Sequence, residues 1–518
     1  MSALYRAMRG GVGPVAAGAP RAATQDTITR RTPRPATRLR ILGTNDFHGA
    51  LEPRVDSRGI RRGGAAYLAA AIRRAAAECA PPQCQVLLVD GGDEFQGTLA
   101  SNLAFGKPIT GIFNELGLAA AALGNHEFDW GQDTLRARMR DAHYGFFGAN
   151  VRYSDGRDVP WIRDDTLVTR GPLKIGIIGL ASVLTASTTM ARNVADLRFL
   201  PPGPIVDSLA RQLRARGADY VIVLAHEGAY CDRGPCAGEI VDIAKSLHEP
   251  IDAIISGHTH SLVNTTVAGV PIVQAYFSGS ALDVIDLGPD GVTQKVRNVL
   301  TDSIAPDPTV ARLVTQAMAR VAPIINQPIV TIAETLTRSD TGAQQYPLGN
   351  LIADAMRFAG KGDVAVMNNG GIRTDLRAGT ATYGSLFELQ PFGNTLYRIT
   401  VTGEALRAYL ERLVARNDPR YHVSGVQLTY DPAGAAGARL RSVTLADGRP
   451  LDPAAQYRIV LNNFMAEGGE GLGLSKGAIK SEHLSTIDLD ALVRYLKSLP
   501  QPVRAPAEAR IRPTGATQ

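Results

Sequence analysis

Asp46-Phe47-His48, Gly91-Gly92-Asp93, Gly124-Asn125-His126-Glu127, Ala225-His226-Glu227 and Gly257-His258-Thr259-His260 are five short polar clusters that hold five of the chain's nine histidines. Imidazoles, carboxylates and one amide oxygen, with no thiolate among them, suit borderline and hard divalent ions such as Zn²⁺, Mn²⁺, Co²⁺ or Fe²⁺. A carboxylate shared between two such ions allows a dinuclear site. Paired cations lower the pKa of water, polarise phosphoryl oxygens and stabilise the charge of an in-line displacement. One Asp-x-His or Gly-His-x-His alone is more often a surface turn or a chance event, but five clusters in order point to a single site. Gly92, Gly124 and Gly257 permit the sharp turns that bring backbone close to a metal or a phosphate.

Each cluster follows an apolar run. The Gly124 cluster follows an Ala-rich run and the others follow runs at 40–43, 85–89, 220–224 and 253–255; these and a run at 174–178 alternate with Ala- and Arg-rich helical stretches, the pattern of an α/β domain with buried strands. In open α/β sheets the carboxyl ends of the strands share one edge, so residues distant in sequence meet there. From Asp307 to Asn326, Val310, Leu313, Val314, Met318 and Val321 recur at helical spacing and predict a helix connecting two domains. A second mixed segment follows, with a helix at 348–359, a strand at 363–367 and a helix at 403–414. The expected organisation is a leader over 1–38, a first domain over 39–304, a linker helix over 305–327, a second domain over 328–513 and a tail over 514–518.

The ordered clusters resemble the calcineurin-like metallophosphoesterase superfamily. Through Ile41-Leu42-Gly43-Thr44-Asn45-Asp46-Phe47-His48-Gly49 and Gly124-Asn125-His126-Glu127-Phe128-Asp129 the chain resembles more closely the secreted 5′-nucleotidase family, which includes bacterial UDP-sugar hydrolases and animal ecto-5′-nucleotidases. The resemblance runs from residue 39 to the C terminus. It implies a four-layer α-β-β-α sandwich with a second, α+β substrate-binding domain. It also implies Asp46, His48 and His260 at one metal, Asn125, His226 and His258 at another, Asp93 bridging them, and His126 with Asp129 as a catalytic dyad that binds no metal.

The second domain offers groups suited to an anionic aromatic ligand. In Asn368-Asn369-Gly370-Gly371-Ile372-Arg373 a glycine turn at a strand end presents amides and one guanidinium. Phe392 and Phe464 sit in polar, glycine-rich loops, where an aromatic usually anchors a core. The family resemblance implies instead that both stack on a nucleobase. It further implies that Asn368 and Arg373 meet phosphate or ribose, Asn394 the base or ribose, and Glu470 the ribose hydroxyls. Two departures bear on substrate: Glu470 stands where the family usually has Asp, and Gln344 and Gln345 lie where an arginine often precedes Leu348-Gly349-Asn350.

The missing guanidinium tilts the expectation to nucleoside 5′-monophosphates. UDP-sugars and 2′,3′-cyclic or 3′-nucleotides are the alternatives. A thiosulfohydrolase and a non-catalytic nucleotide-binding surface protein are rivals that the two phenylalanines and the complete ligand set argue against.

With 45% hydrophobic and 20% charged residues the chain is globular, and it has no apolar stretch of membrane-spanning length. The net charge of +6 could suggest a nucleic-acid partner, but residues 1–40 hold eight arginines against one acid, so the rest of the chain nets −1. A nucleic-acid polymer is therefore not the expected partner; a small nucleotide is. The leader reads as unstructured or removed, and Arg30-Arg31 lacks the apolar run that a twin-arginine signal needs. The cysteines form two close pairs, Cys79 with Cys84 and Cys231 with Cys236. Two local disulfides are expected, with a four-thiolate zinc site or free thiols as rivals, and disulfides point to a periplasmic or secreted protein.

Overall fold

The computed structural model describes residues 35–56, 59–232, 234–338, 345–415, 420–474 and 477–514. The expected leader, apart from residues 35–38, lies outside them, as do Gln344 and all of the tail except Thr514.

Two six-stranded sheets form the first half. One is ordered Gly291–Asn298, Ala281–Gly288, Arg38–Thr44, Cys84–Asp90, Ala120–Ala122, Gly145–Phe147, and its last four strands are parallel. The other is ordered Leu262–Val267, Val270–Ala275, Ala253–Ser256, Tyr220–Ala225, Leu173–Leu180, Asp165–Arg170, with its four inner strands parallel. Side chains alternate across a strand, so each buried strand feeds two cores. Leu39, Ile41, Leu87, Val89, Ala120 and Ala122 meet Ile175, Ile177, Tyr220, Ile222 and Leu224 between the sheets. Their neighbours Leu42, Leu88 and Ala121 face outward under the helices Ala65–Ala77 and Lys107–Leu116. Val221, Val223 and Ala225 face the helices Gly203–Ala215 and Glu239–Ser246 on the opposite side. The result is the expected four layers, helix, sheet, sheet, helix.

The helix Pro308–Ile325 begins at Asp307, whose side chain accepts from the amides of Thr309 and Val310. Val310, Leu313, Val314, Met318 and Val321, the residues at helical spacing, all pack into the outer core of the first sheet. At its far end Ile325 packs against Gly384, and Gln327 accepts from the Tyr383 amide.

The second half is a five-stranded sheet, ordered Tyr421–Ser424, Val364–Asn368, Gln456–Asn462, Thr395–Thr402, Ala478–Ile487. The helices Pro347–Gly360 and Asp488–Ser498 cover one face and Gly403–Leu413 the other. A three-stranded sheet, Leu440–Leu445, Val426–Tyr430 and Ile511–Pro513, completes this region. No helix among the described residues is long and apolar enough to cross a membrane.

Both expected disulfides are present, with Cα atoms 5.2 Å apart for Cys79–Cys84 and 4.1 Å for Cys231–Cys236, so neither zinc nor free thiols account for the cysteines. The first ties the end of Ala65–Ala77 to the start of Cys84–Asp90, the strand that leads to Asp93. A Cys79→Ser/Cys84→Ser variant should lose about 2 kcal/mol of stability in urea unfolding, the amount a short closed loop removes from the unfolded chain's entropy. An unchanged midpoint would show that this staple contributes nothing.

Candidate metal centre

The polar clusters lie where parallel strands end, and the turns that carry them are strained. Asp46, His48, Asp93, His258 and His260 have φ of 48°, 50°, 62°, 76° and 55°, a left-handed backbone that costs a non-glycine residue of order 1 kcal/mol. Such conformations persist only when their surroundings impose them. Part of that imposition comes from Glu127, whose carboxylate accepts from the amides of Asp93, Glu94 and Gly124 at 2.9, 2.8 and 2.7 Å. Gly124 itself approaches so closely that a Cβ there would lie 2.1 Å from Asp93 Oδ1. Asp90 accepts from Thr44 Oγ1 and the Gly92 amide, and Asn45 Nδ2 donates to Asp46 Oδ2 at 2.7 Å.

The side chains meet in two overlapping groups. His48 Nε2 lies 2.9 Å from His260 Nε2, and the two lie 3.8 and 3.3 Å from Asp46 Oδ1. His226 Nε2 lies 3.1 Å from Asp93 Oδ2 and 3.2 Å from Asn125 Oδ1, which is 3.0 Å from His258 Nδ1. Asp93 Oδ2 is also 3.7 Å from His48 Nε2, so this one carboxylate faces both groups. All seven residues expected as ligands are brought together.

The donor atoms fit a cation for a specific reason. His48 Nδ1 lies 2.7 Å from the Gln96 carbonyl and His226 Nδ1 2.9 Å from the Gly91 carbonyl. A carbonyl only accepts, so each Nδ1 carries the hydrogen and a neutral ring turns the lone pair of Nε2 inward. Those lone pairs face carboxylate and amide oxygens, acceptor against acceptor, an arrangement that a proton or a cation resolves. Burial, reinforced by His226, lowers His258 to about 3, and burial together with His260 holds His48 well below the imidazole range. Burial opposes ionisation of Asp93, but the charges of His226 and His126 overcome it and keep its carboxyl well below the usual range. His226 answers in kind, raised to about 10 by Asp93 against its own desolvation.

His126 stands beside this centre. Its amide donates to Asp93 Oδ1 at 2.9 Å and its Nδ1 meets Asp129 Oδ2 at 2.7 Å, while Asp129 Oδ1 accepts from Thr189 Oγ1 at 2.7 Å. Burial works against protonation of His126, yet Asp129 and Asp93 raise it above the ordinary imidazole value.

Of the second-domain residues, Arg373 and Phe392 reach the centre. Phe392 stacks on His126 with centroids 5.4 Å apart, and the Arg373 guanidinium lies 5.5 Å from the Phe392 ring centre. Asn368 Nδ2 donates to Glu470 Oε1 at 2.9 Å. Asn394 Nδ2 donates to Asp488 Oδ2 at 3.3 Å, and Phe464 packs beside Gly469 at the edge of the second core. Among ring contacts of the described residues, Phe392 pairs with His126 and not with Phe464.

Two arginines escaped the sequence reading. Arg338, whose amide donates to Asp375 Oδ1 at 2.7 Å, has a buried Nε with no hydrogen-bond partner among the described residues. Burial, with the neighbouring charges of Arg338 and Arg54, lowers Arg373 to about 10. The only sequence signal was Arg338 standing shortly before the segment that lacks an arginine.

Because His226 shares its proton with Asp93 up to about pH 10, a divalent ion must displace a proton to bind. Mn²⁺ affinity should therefore climb as pH rises from about 6 to about 9, with proton release visible by calorimetry in buffers of different ionisation enthalpy. An affinity independent of pH would contradict the imidazole ligation.

Two family models match the chain, calcineurin-like phosphoesterase over residues 39–262 and the 5′-nucleotidase C-terminal domain over residues 324–476. Endonuclease YhcR of Bacillus subtilis is 29% identical over 503 residues, which are 92% of this chain but 41% of that protein, so the chain spans less than half the length of this relative. A snake venom 5′-nucleotidase of Gloydius brevicauda is 27% identical over 524 residues, covering 89% of this chain and 86% of that one. Among solved structures, a 5′-nucleotidase precursor from Thermus thermophilus superposes with a TM-score of 0.82 at 27% identity, over 93% of this chain and all of that one. Both domain models, in their order along the chain, agree with the four-layer fold and its strand-end clusters, and the chain belongs to the 5′-nucleotidase family of calcineurin-like phosphoesterases.

Proposed function

We propose that the protein is an exported dinuclear-metal phosphohydrolase that releases phosphate from nucleoside 5′-monophosphates. The observation that carries this reading is Asp93, a buried carboxylate shared by two groups of ligands beside the His126–Asp129 pair. Asp46, His48 and His260 hold one divalent ion and Asn125, His226 and His258 the other, with Asp93 between them. Bound there, Zn²⁺, Mn²⁺, Co²⁺ or Fe²⁺ supplies water activation and charge neutralisation for attack at phosphorus.

The chain's own groups do the rest. His126, whose protonated form Asp129 favours against burial, donates to the phosphoryl group or to the leaving oxygen. Arg373, still a cation at neutral pH, binds phosphate from the second domain. The paired Asn368 and Glu470 suit ribose hydroxyls, Asn394 suits the base or ribose, and Phe392 and Phe464 are the rings available to stack on a nucleobase. The two disulfides support a periplasmic or secreted location.

A second reading has one observation in its favour. The charges of Arg54 and Arg338 act on Arg373, and three cations in one region suit a diphosphate or a UDP-sugar better than a monoester.

Phosphate release from AMP, ADP, UDP-glucose, cyclic AMP and bis-p-nitrophenyl phosphate, with each metal and with chelator, tests both. AMP turnover that is lost with chelator is expected, and Asp93→Ala should abolish it. No release from any substrate with any metal would sink the hydrolase reading; full activity in the Asp93 variant would disprove the bridging role. A kcat/KM for UDP-glucose above that for AMP would establish the second reading.

A further inference from the structure

Phe392 belongs to the second domain, yet its ring lies on a residue of the first. It stacks on the His126 imidazole at 5.4 Å with the planes 26° apart. Two further contacts of that imidazole are defined among the described residues. Nδ1 has its bond to Asp129, and the His48 ring stands edge-on at 5.4 Å and 65°. A single hydrogen bond fixes one ring atom but leaves the ring free to swing about the bond. A ring packed against its face removes that freedom and excludes water from that side.

The loop that carries Phe392 is docked independently of the stack. The Pro391 carbonyl accepts from Asn102 Nδ2 at 2.9 Å and from Gln96 Nε2 at 3.4 Å. Gln96 is also the residue whose carbonyl orients His48. One short stretch of the first domain therefore aims a metal ligand and seats the loop that bears Phe392.

We infer that Phe392 is a positioning residue for His126, so that the second domain completes the dyad rather than only bounding the nucleoside. The inference rests on the phosphohydrolase reading above. A purely base-stacking Phe392 acts on binding of the base, whereas a positioning Phe392 acts on turnover even of a substrate without a base.

The test is steady-state kinetics of Phe392→Leu and Phe392→Tyr on AMP and on ribose 5-phosphate, with metal content and melting temperature read on the same samples. Phe392→Leu should lower kcat roughly 3- to 10-fold on both substrates, the strength of a typical aromatic contact. Metal content and melting temperature should stay at wild-type values, and Phe392→Tyr, which keeps the ring, should restore kcat. An unchanged kcat in Phe392→Leu with only the KM for AMP raised would overturn the inference, as would an equal loss in the Tyr variant. Wild-type protein that hydrolyses neither substrate with any metal would overturn the phosphohydrolase reading and the inference with it, whereas an active wild type with an indifferent Leu variant overturns the inference alone.

Discussion

Asp93 is 1% exposed and faces imidazoles from two directions, and the rest of the structure is arranged around the cost of keeping that carboxylate buried. An unpaired buried charge costs several kcal/mol, so the carboxylate needs partners on every side. His226 faces one of its oxygens, the His126 amide donates to the other, and Glu127 accepts from the amides of Asp93, Glu94 and Gly124. These partners come from the ends of different strands. The two sheets must therefore sit face to face in one register, and the apolar layer of Ile41, Val89, Ile177 and Leu224 fixes that register.

The second domain meets this centre through few but directed contacts. Phe392 and Arg373 reach it from two loops. Away from it Arg192 pairs with Glu467 at 3.4 Å, and Asn102 donates to the Pro391 carbonyl at 2.9 Å. These contacts are polar, in contrast with the apolar cores on either side. The groups that the proposed function sets on phosphate are in this way divided between two bodies, each with its own core.

What the sequence made legible was local. The apolar runs of the buried strands and the polar clusters after them could be read directly, because each is written in consecutive residues. The helix Pro308–Ile325 was equally plain from Asp307, Pro308 and the spacing of its apolar residues. Other features depend on contacts between distant residues. Glu127 sat in plain view within a motif, but nothing local says that its carboxylate caps a turn 34 residues earlier. Phe392 read as half of an aromatic pair, and only the docking of its loop on Asn102 shows it against His126. Arg54 and Arg338 lie in stretches without a motif, so their approach to Arg373 was invisible, and with it the second reading of substrate.

In the proposed function Asp93 is shared by two cations. Anomalous X-ray diffraction from crystals grown with Mn²⁺, read with the metal content per chain, tests it most directly. Two peaks flanking the Asp93 carboxylate are expected, one against Asp46, His48 and His260 and one against Asn125, His226 and His258. A single peak, or two that leave Asp93 uncoordinated, would contradict it.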